Sequence, residues 1–260
     1  MKTKPQLWLL LAFVVQIAAC KKTGDSGNDG TPTVKKYVTE LVSVSIVPGI
    51  GKVTSVTDYT YDEKKRKKTE KVDNFTFTYS YYDNDKLFTS TQLVGDGNGL
   101  RFYSEYTYTG TQLTRFKKIT FRNNENVLES TTDYVYDGNG RVTEEHSSGS
   151  LVLYTYDGNG DATKVVETRP EGTITTTNTY DANHRKITII KSTAIQGIPN
   201  TSTTYTYDSH DNITKSVIVT GTTTTTTATV NLTNTYDADG YLIGVEGSDG
   251  SSKTYTYKTL

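Results

Sequence analysis

The sequence predicts an all-β fold: an up-and-down antiparallel meander of about 18 strands, built from tandem β-hairpins and bent into a strongly curved sheet or barrel. Three observations lead there. The chain of 260 residues carries 20 tyrosines, and about one residue in five is threonine, both strand formers. A Tyr-x-Tyr-Asp phrase recurs along it, followed each time by residues suited to a tight turn. No segment shows the 3.6-residue apolar period of a helix.

In chain order, residues 1–19 come first. A basic start (Lys2, Lys4) leads into the apolar stretch Leu7–Ala19 and then Ile17-Ala18-Ala19-Cys20. The stretch is shorter than the roughly 20 residues a spanning helix needs, so a cleaved leader is expected rather than a membrane anchor. It resembles a bacterial lipoprotein signal peptide. That resemblance implies cleavage before Cys20 and acylation of the cysteine, with several acyl chains giving stable attachment. The stretch from Cys20 to residue 33 (CKKTGDSGNDGTPT) offers no large apolar side chain to pack and reads as a flexible tether. Lys21 follows the cysteine where inner-membrane retention signals usually place aspartate, so the expected address is the outer membrane, facing the periplasm or the cell surface.

Residues 34–260 are expected to form one β-repeat domain. Full copies of the phrase end at Tyr61, Tyr136, Tyr156 and Tyr207, and weaker ones at Tyr82, Tyr108, Tyr180, Tyr236 and Tyr257, at intervals of 20 to 29 residues. Variable spacing suits hairpins with elastic ends. In Tyr-Thr-Tyr both rings take one sheet face and threonine the other. Aspartate then opens a turn: in Asp137-Gly-Asn-Gly140 and Asp157-Gly-Asn-Gly160 its carboxylate can accept an N–H two residues on, while Gly140 and Gly160 supply positive φ. His184 and Asp211 stand where that glycine is missing, and both types tolerate the left-handed region. The opposite strand ends carry their own breakers, such as Asp73-Asn74, Gly95–Gly99, Ser147-Ser-Gly149 and Gly197–Asn200.

Tyr134–Val142, read as Tyr-x-Tyr-Asp-x-x-Gly-Arg plus an apolar residue, resembles the repeat of the YD-repeat (RHS-repeat) proteins. The resemblance implies a curved, hollow assembly of hairpins; large members of that family enclose a toxin or other cargo. The chain is also similar to short secreted lipoproteins with a porin-like β fold.

Composition excludes several chemistries. Cys20 is the sole cysteine, and His146, His184 and His210 are the three histidines, so a disulfide framework, a thiolate zinc site and a Cys/His dyad are ruled out. No Gly-x-Ser-x-Gly elbow is present. Asp157–Asp161 opens like a calcium loop, but Ala162 and Thr168 stand where that loop needs glycine and glutamate. His184 and His210 fall in corresponding hairpin turns and read as polar turn residues, with metal binding or general-base work the competing reading. His146, beside Glu144 and Glu145, reads the same way. Lys64–Lys68 is a basic run that reads as a solvated hairpin end. A net charge of −1 and no interleaving of aromatic and basic residues argue against nucleic acid.

These readings assign no catalytic, cofactor or metal residue, and Cys20 as the lipid attachment. The expected function is a non-catalytic, envelope-anchored scaffold or a binding surface for a glycan or protein partner, with the membrane reached through the lipid. The alternatives are a carbohydrate-active enzyme using Asp or Glu inside the curved sheet, and a pore. The pore is disfavoured by strands such as Arg66–Lys71, in which neither alternate set is apolar.

Overall fold

The computed structural model describes residues 35–47, 49–94, 101–122, 125–221 and 225–260. Residues 1–34, with the expected leader, tether and Cys20, lie outside the described residues, as do the breaker Gly95–Gly99 and residues 123–124 and 222–224. The strands are β1 (Lys36–Val47), β2 (Gly51–Tyr61), β3 (Lys67–Val72), β4 (Phe75–Tyr81), β5 (Leu87–Val94), β6 (Arg101–Thr109), β7 (Gln112–Arg122), β8 (Glu125–Tyr136) and β9 (Val142–Ser147). They continue as β10 (Ser150–Tyr156), β11 (Ala162–Arg169), β12 (Gly172–Tyr180), β13 (Lys186–Thr193), β14 (Asn200–Tyr207), β15 (Ile213–Gly221), β16 (Thr225–Tyr236), β17 (Leu242–Gly247) and β18 (Ser252–Thr259).

Each strand pairs antiparallel with its sequence neighbours, and β1 also pairs with β18 along Lys36–Val44, so the 18-stranded sheet closes on itself. The expected all-β meander is therefore a closed barrel. Closure removes the two edges that a sheet of this length would otherwise expose. Strands meet only their ring neighbours, and none reaches across. A circular sheet of this strand number, with strands ~4.8 Å apart and tilted by ~40°, has a diameter of roughly 35 Å, too wide for side chains to fill. Consistent with a wall one layer thick, the buried apolar side chains among the described residues are Ile119, Ile174 and Leu242.

The eight hairpin ends that follow the tyrosine phrases, six of them opened by aspartate, share one rim, together with the start of β1 and the end of β18. The chain there bulges repeatedly. In β2–β3 the register runs Thr60↔Thr69 and then Tyr61↔Lys67, leaving Lys68 over, and the same step precedes the last tyrosine of β4, β6, β8, β10, β12, β14 and β16. A bulge bends its strand and increases local twist, so eight along one rim help to curl the sheet shut.

The two faces differ. In β10, β14, β16 and β18 the alternate set that includes the tyrosines is consistently less exposed than the threonine set. Curvature crowds side chains on the inside of a closed sheet and spreads them on the outside, so the tyrosine face lines the barrel.

One phrase needs a shifted anchor. Tyr82 was expected to close the second copy, but β4 ends at Tyr81, and Tyr82 takes the turn position that aspartate holds elsewhere: its N–H donates to the Lys86 carbonyl at 2.8 Å, as Asp62 does to Arg66 at 2.9 Å. Tyr79 and Tyr81 are the pair that shares the inner face. In β6–β7 the acid is absent altogether, and Gly110 closes the end with a φ of 57°.

Candidate functional site

At the rim, the repeat phrase resolves into one recurring device. Asp137 Oδ1 accepts the N–H groups of Asn139 and Arg141, both at 2.9 Å, and Oδ2 accepts Arg141 Nε at 2.7 Å. The fourth turn residue takes positive φ: Gly140 at 78°, His184 at 61° and Asp211 at 64°, with Lys65 and Asp85 as further non-glycine cases. The Arg141 guanidinium lies 4.7 Å from the Tyr156 ring centroid in the next hairpin, and the Tyr156 hydroxyl donates to the Val142 carbonyl at 2.6 Å. Arg66 over Tyr81 and Arg185 over Tyr207 repeat this arrangement at 4.3 and 4.9 Å. Phenol-to-carbonyl bonds recur from Tyr61 to Val38, Tyr81 to Lys67, Tyr136 to Leu113, Tyr180 to Ala162, Tyr207 to Lys186 and Tyr257 to Leu242. In these seven phrases the last tyrosine thus fastens its strand to the start of the one before. Where Asn212 replaces the arginine, Tyr236 donates to Asp208 Oδ2 at 2.6 Å instead.

His184 and His210 join this rim and not each other. His184 Nδ1 lies 2.7 Å from Asp161 Oδ2 in the preceding turn, whereas His210 stacks on Tyr236 in the following hairpin, ring centroids 4.2 Å apart. Although the turns correspond, His184 occupies the fourth position and His210 the third, so they engage opposite neighbours. His146 Nε2 sits 2.7 Å from Glu144 Oε2 on the outer face. Asp157 spends its Oδ1 on the amides of Asn159 and Asp161 at 2.9 Å, which is turn work. Among the described residues no group of three His, Cys, Asp or Glu is placed to hold a metal. The basic run is a solvated hairpin end at Lys64, Lys65 and Lys68, and acids meet part of it: Lys64 and Arg66 reach Asp85 at 2.8 and 2.6 Å, and Lys67 turns inward to Glu70 at 2.9 Å.

The inner face is the candidate site. Its first tyrosines, Tyr59, Tyr79, Tyr134, Tyr154, Tyr205 and Tyr255, sit below the rim tyrosines and alternate with polar neighbours. Glu70 accepts from Tyr79 at 3.0 Å and Glu145 from Tyr154 at 2.6 Å. Burial first, then the carboxylate, pushes both phenols above their ordinary range. Tyr205 and Tyr255 have no hydroxyl partner among the described residues, and burial alone raises their affinity for the proton. Burial also lowers that of Lys253, beside Ser43 on this face. Sequence reasoning missed Glu70, Glu145 and Lys67 as lining residues. Strict alternation from the turn places Glu70 and Glu145 wrongly, because the bulges at Lys68 and Thr143 reset the phase, whereas Lys67 precedes its bulge and lies opposite Tyr61.

No protein-family model and no curated protein matches the chain. Among solved structures it is similar to a porin-like protein from Bacteroides vulgatus, at 12% identity and a TM-score of 0.45, over 87% of this chain and 100% of that one. A porin-like protein from Bacteroides uniformis gives 13%, 0.41, 85% and 98% for the same measures. A chain in the crystal structure of TcdB2-TccC3-Cdc42 gives 12% identity and a TM-score of 0.36 over 86% of this chain, which spans 13% of its length.

Proposed function

We propose that the protein is a non-catalytic envelope lipoprotein of the YD-repeat type, held at the outer membrane through lipid on Cys20, and that its tyrosine-lined inner face binds a glycan. The observation that carries this reading is that lining. A phenol presents an apolar ring face to the C–H face of a sugar and a polar tip to its hydroxyls. The hydroxyls of Tyr205 and Tyr255, which have no partner among the described residues, with Ser216 and Asn234 on the strands between them and Lys253 beside Tyr255, supply the few placed polar groups that orient a ligand.

Two observations weigh against the alternatives. Every described carboxylate that departs from its ordinary affinity, Asp133, Asp137 and Asp237 among them, is shifted down, the opposite of what a general acid requires. A pore needs one apolar face, yet Arg115–Asp133 and Lys117–Glu105 stand on one face and Lys67, Glu70, Glu145 and Lys253 on the other. The test is a glycan array probed with the protein and with a Tyr205→Ala/Tyr255→Ala variant. Binding that the double variant loses is the expected result. An array that stays blank for the folded protein overturns the binding reading and leaves a scaffold.

A further inference from the structure

The strands β2–β4 and β8–β10 are two copies of one three-strand unit, and they differ at one informative position. In the first copy Tyr59 lies opposite Glu70, and Tyr79 donates to Glu70 Oε2 at 3.0 Å. The Lys67 ammonium is 2.9 Å from the same oxygen and 5.0 and 5.4 Å from the Tyr59 and Tyr79 ring centroids. A cation is thus held by two ring faces and a carboxylate, the arrangement by which aromatic cages bind ammonium groups. In the second copy Tyr134 lies opposite Glu145, and Tyr154 donates to Glu145 Oε1 at 2.6 Å. The two tyrosines and the glutamate recur, while Phe77, opposite Glu70, is replaced by Val152, opposite Glu145. The residue equivalent to Lys67 is Val142: each lies opposite the last tyrosine of the preceding strand, Tyr61 or Tyr136, and each carbonyl accepts a phenol at 2.6 Å, from Tyr81 or Tyr156.

We propose that Tyr134, Glu145 and Tyr154 form a receptor for a ligand's ammonium group and, resting on the glycan reading above, for the free amine of a de-N-acetylated amino sugar. Glu145 has Tyr154 as its hydrogen-bond partner and meets no cation among the described residues. The Arg141 guanidinium, just before β9, is committed to Asp137 at 2.7 Å and to the Tyr156 ring. All three receptor side chains are partly exposed on the inner face, so a ligand in the barrel reaches them. Glu145 keeps lone pairs free for an ammonium donor, whereas an N-acetyl group brings no charge to the rings and turns a carbonyl toward the carboxylate. Both tyrosines have a raised proton affinity, from burial and then from Glu145, as Tyr59 and Tyr79 have beside Glu70.

The test uses the full chain, a fully deacetylated β-1,4-glucosamine hexamer, its fully acetylated counterpart, and n-butylammonium, the end of a lysine side chain without the peptide. Calorimetry measures the hexamers, and NMR follows the Tyr134 and Tyr154 rings with n-butylammonium. Val142→Lys supplies the receptor with its own ammonium, and Lys67→Val empties the sister site. The expected results are binding of the charged hexamer at least about tenfold tighter than the neutral one, and loss of that preference in Val142→Lys, which folds as the parent does. Lys67→Val is expected to add a second site. Ring shifts with n-butylammonium but no binding of either hexamer uphold the receptor and overturn the glycan reading. Equal binding of both hexamers, unchanged by Val142→Lys, overturns the receptor and leaves the glycan reading standing. Silence with all three ligands overturns both.

Discussion

Replacing Tyr156 with phenylalanine removes one oxygen atom and tests what the recurring tyrosine is for. Its hydroxyl donates to the Val142 carbonyl at 2.6 Å, joining the end of β10 to the start of β9, while its ring lies under the Arg141 guanidinium. Phenylalanine keeps the ring and the cation contact and leaves a half-buried carbonyl short of a donor. The expected loss is about 1 kcal/mol, the net worth of one such bond. Leucine also removes the ring beneath the guanidinium and is expected to cost about 0.5–1 kcal/mol more. Tyr205→Phe is the internal control: it sits on the same face with no hydroxyl partner among the described residues, and its expected effect is under about 0.5 kcal/mol. Urea unfolding at unchanged slope reads these values as midpoint shifts, roughly 0.3–1 M for the first variant. Equal midpoints for Tyr156→Phe and Tyr205→Phe would refute the claim that the rim phenols fasten neighbouring hairpins.

Gly160 holds a φ of 89° with nothing nearer to an added Cβ than Arg141 Nη1 at 3.9 Å, so Gly160→Ala is expected to cost about 1–2 kcal/mol from backbone conformation alone. Gly160→Asn should recover part of that in the same unfolding assay. Stability is also expected to fall at both ends of the pH scale. The Arg141 amide and guanidinium hold the Asp137 carboxyl below 3.8, and Arg115 and Lys36 do the same for Asp133 and Asp237. The unfolded chain therefore takes up protons first as pH drops, and stability that is full above about pH 5 is lost through pH 4 and below. Burial raises the phenols of Tyr59, Tyr236 and Tyr257 to about 12. Their contribution is full below the unfolded phenol value of 10.0 and is lost as pH rises from there toward 12. Melting temperatures across pH, with tyrosinate absorbance followed in parallel, check both limits; a phenol titration centred at 10 in the folded protein would contradict the second.

Much of this fold is legible in the phrase itself. Period two in Tyr-Thr-Tyr assigns the faces, and the acid plus a positive-φ residue assigns the turn. That logic reached His184 and Asp211 without a glycine, and the structure puts both in the left-handed region. Local chemistry could do this because each turn satisfies its own backbone within five residues. The parts that were not legible depend on partners in another hairpin. His184 finds Asp161, and Arg185 finds Asp211, at sequence separations of 23 and 26 that follow no fixed offset because the far loops differ in length. The bulge after each turn has no residue signature of its own, and without it Glu70 and Glu145 cannot be placed on the tyrosine face. Tyr82 misled for a related reason: two adjacent aromatic residues satisfy the motif equally well as letters, and only the turn hydrogen bonds separate Tyr81 from Tyr82.

A closed barrel requires the first and last strands to be joined. Ser43 in β1 and Lys253 in β18 are direct partners in that ladder, far apart in sequence and on the same face. In a chain carrying Ser43→Cys and Lys253→Cys, mild oxidation of dilute protein followed by non-reducing electrophoresis and peptide mapping reports whether the two positions meet. A closed ring predicts an intramolecular 43–253 disulfide formed in high yield, while a curved sheet with two free edges would leave both thiols reduced or linked only between molecules.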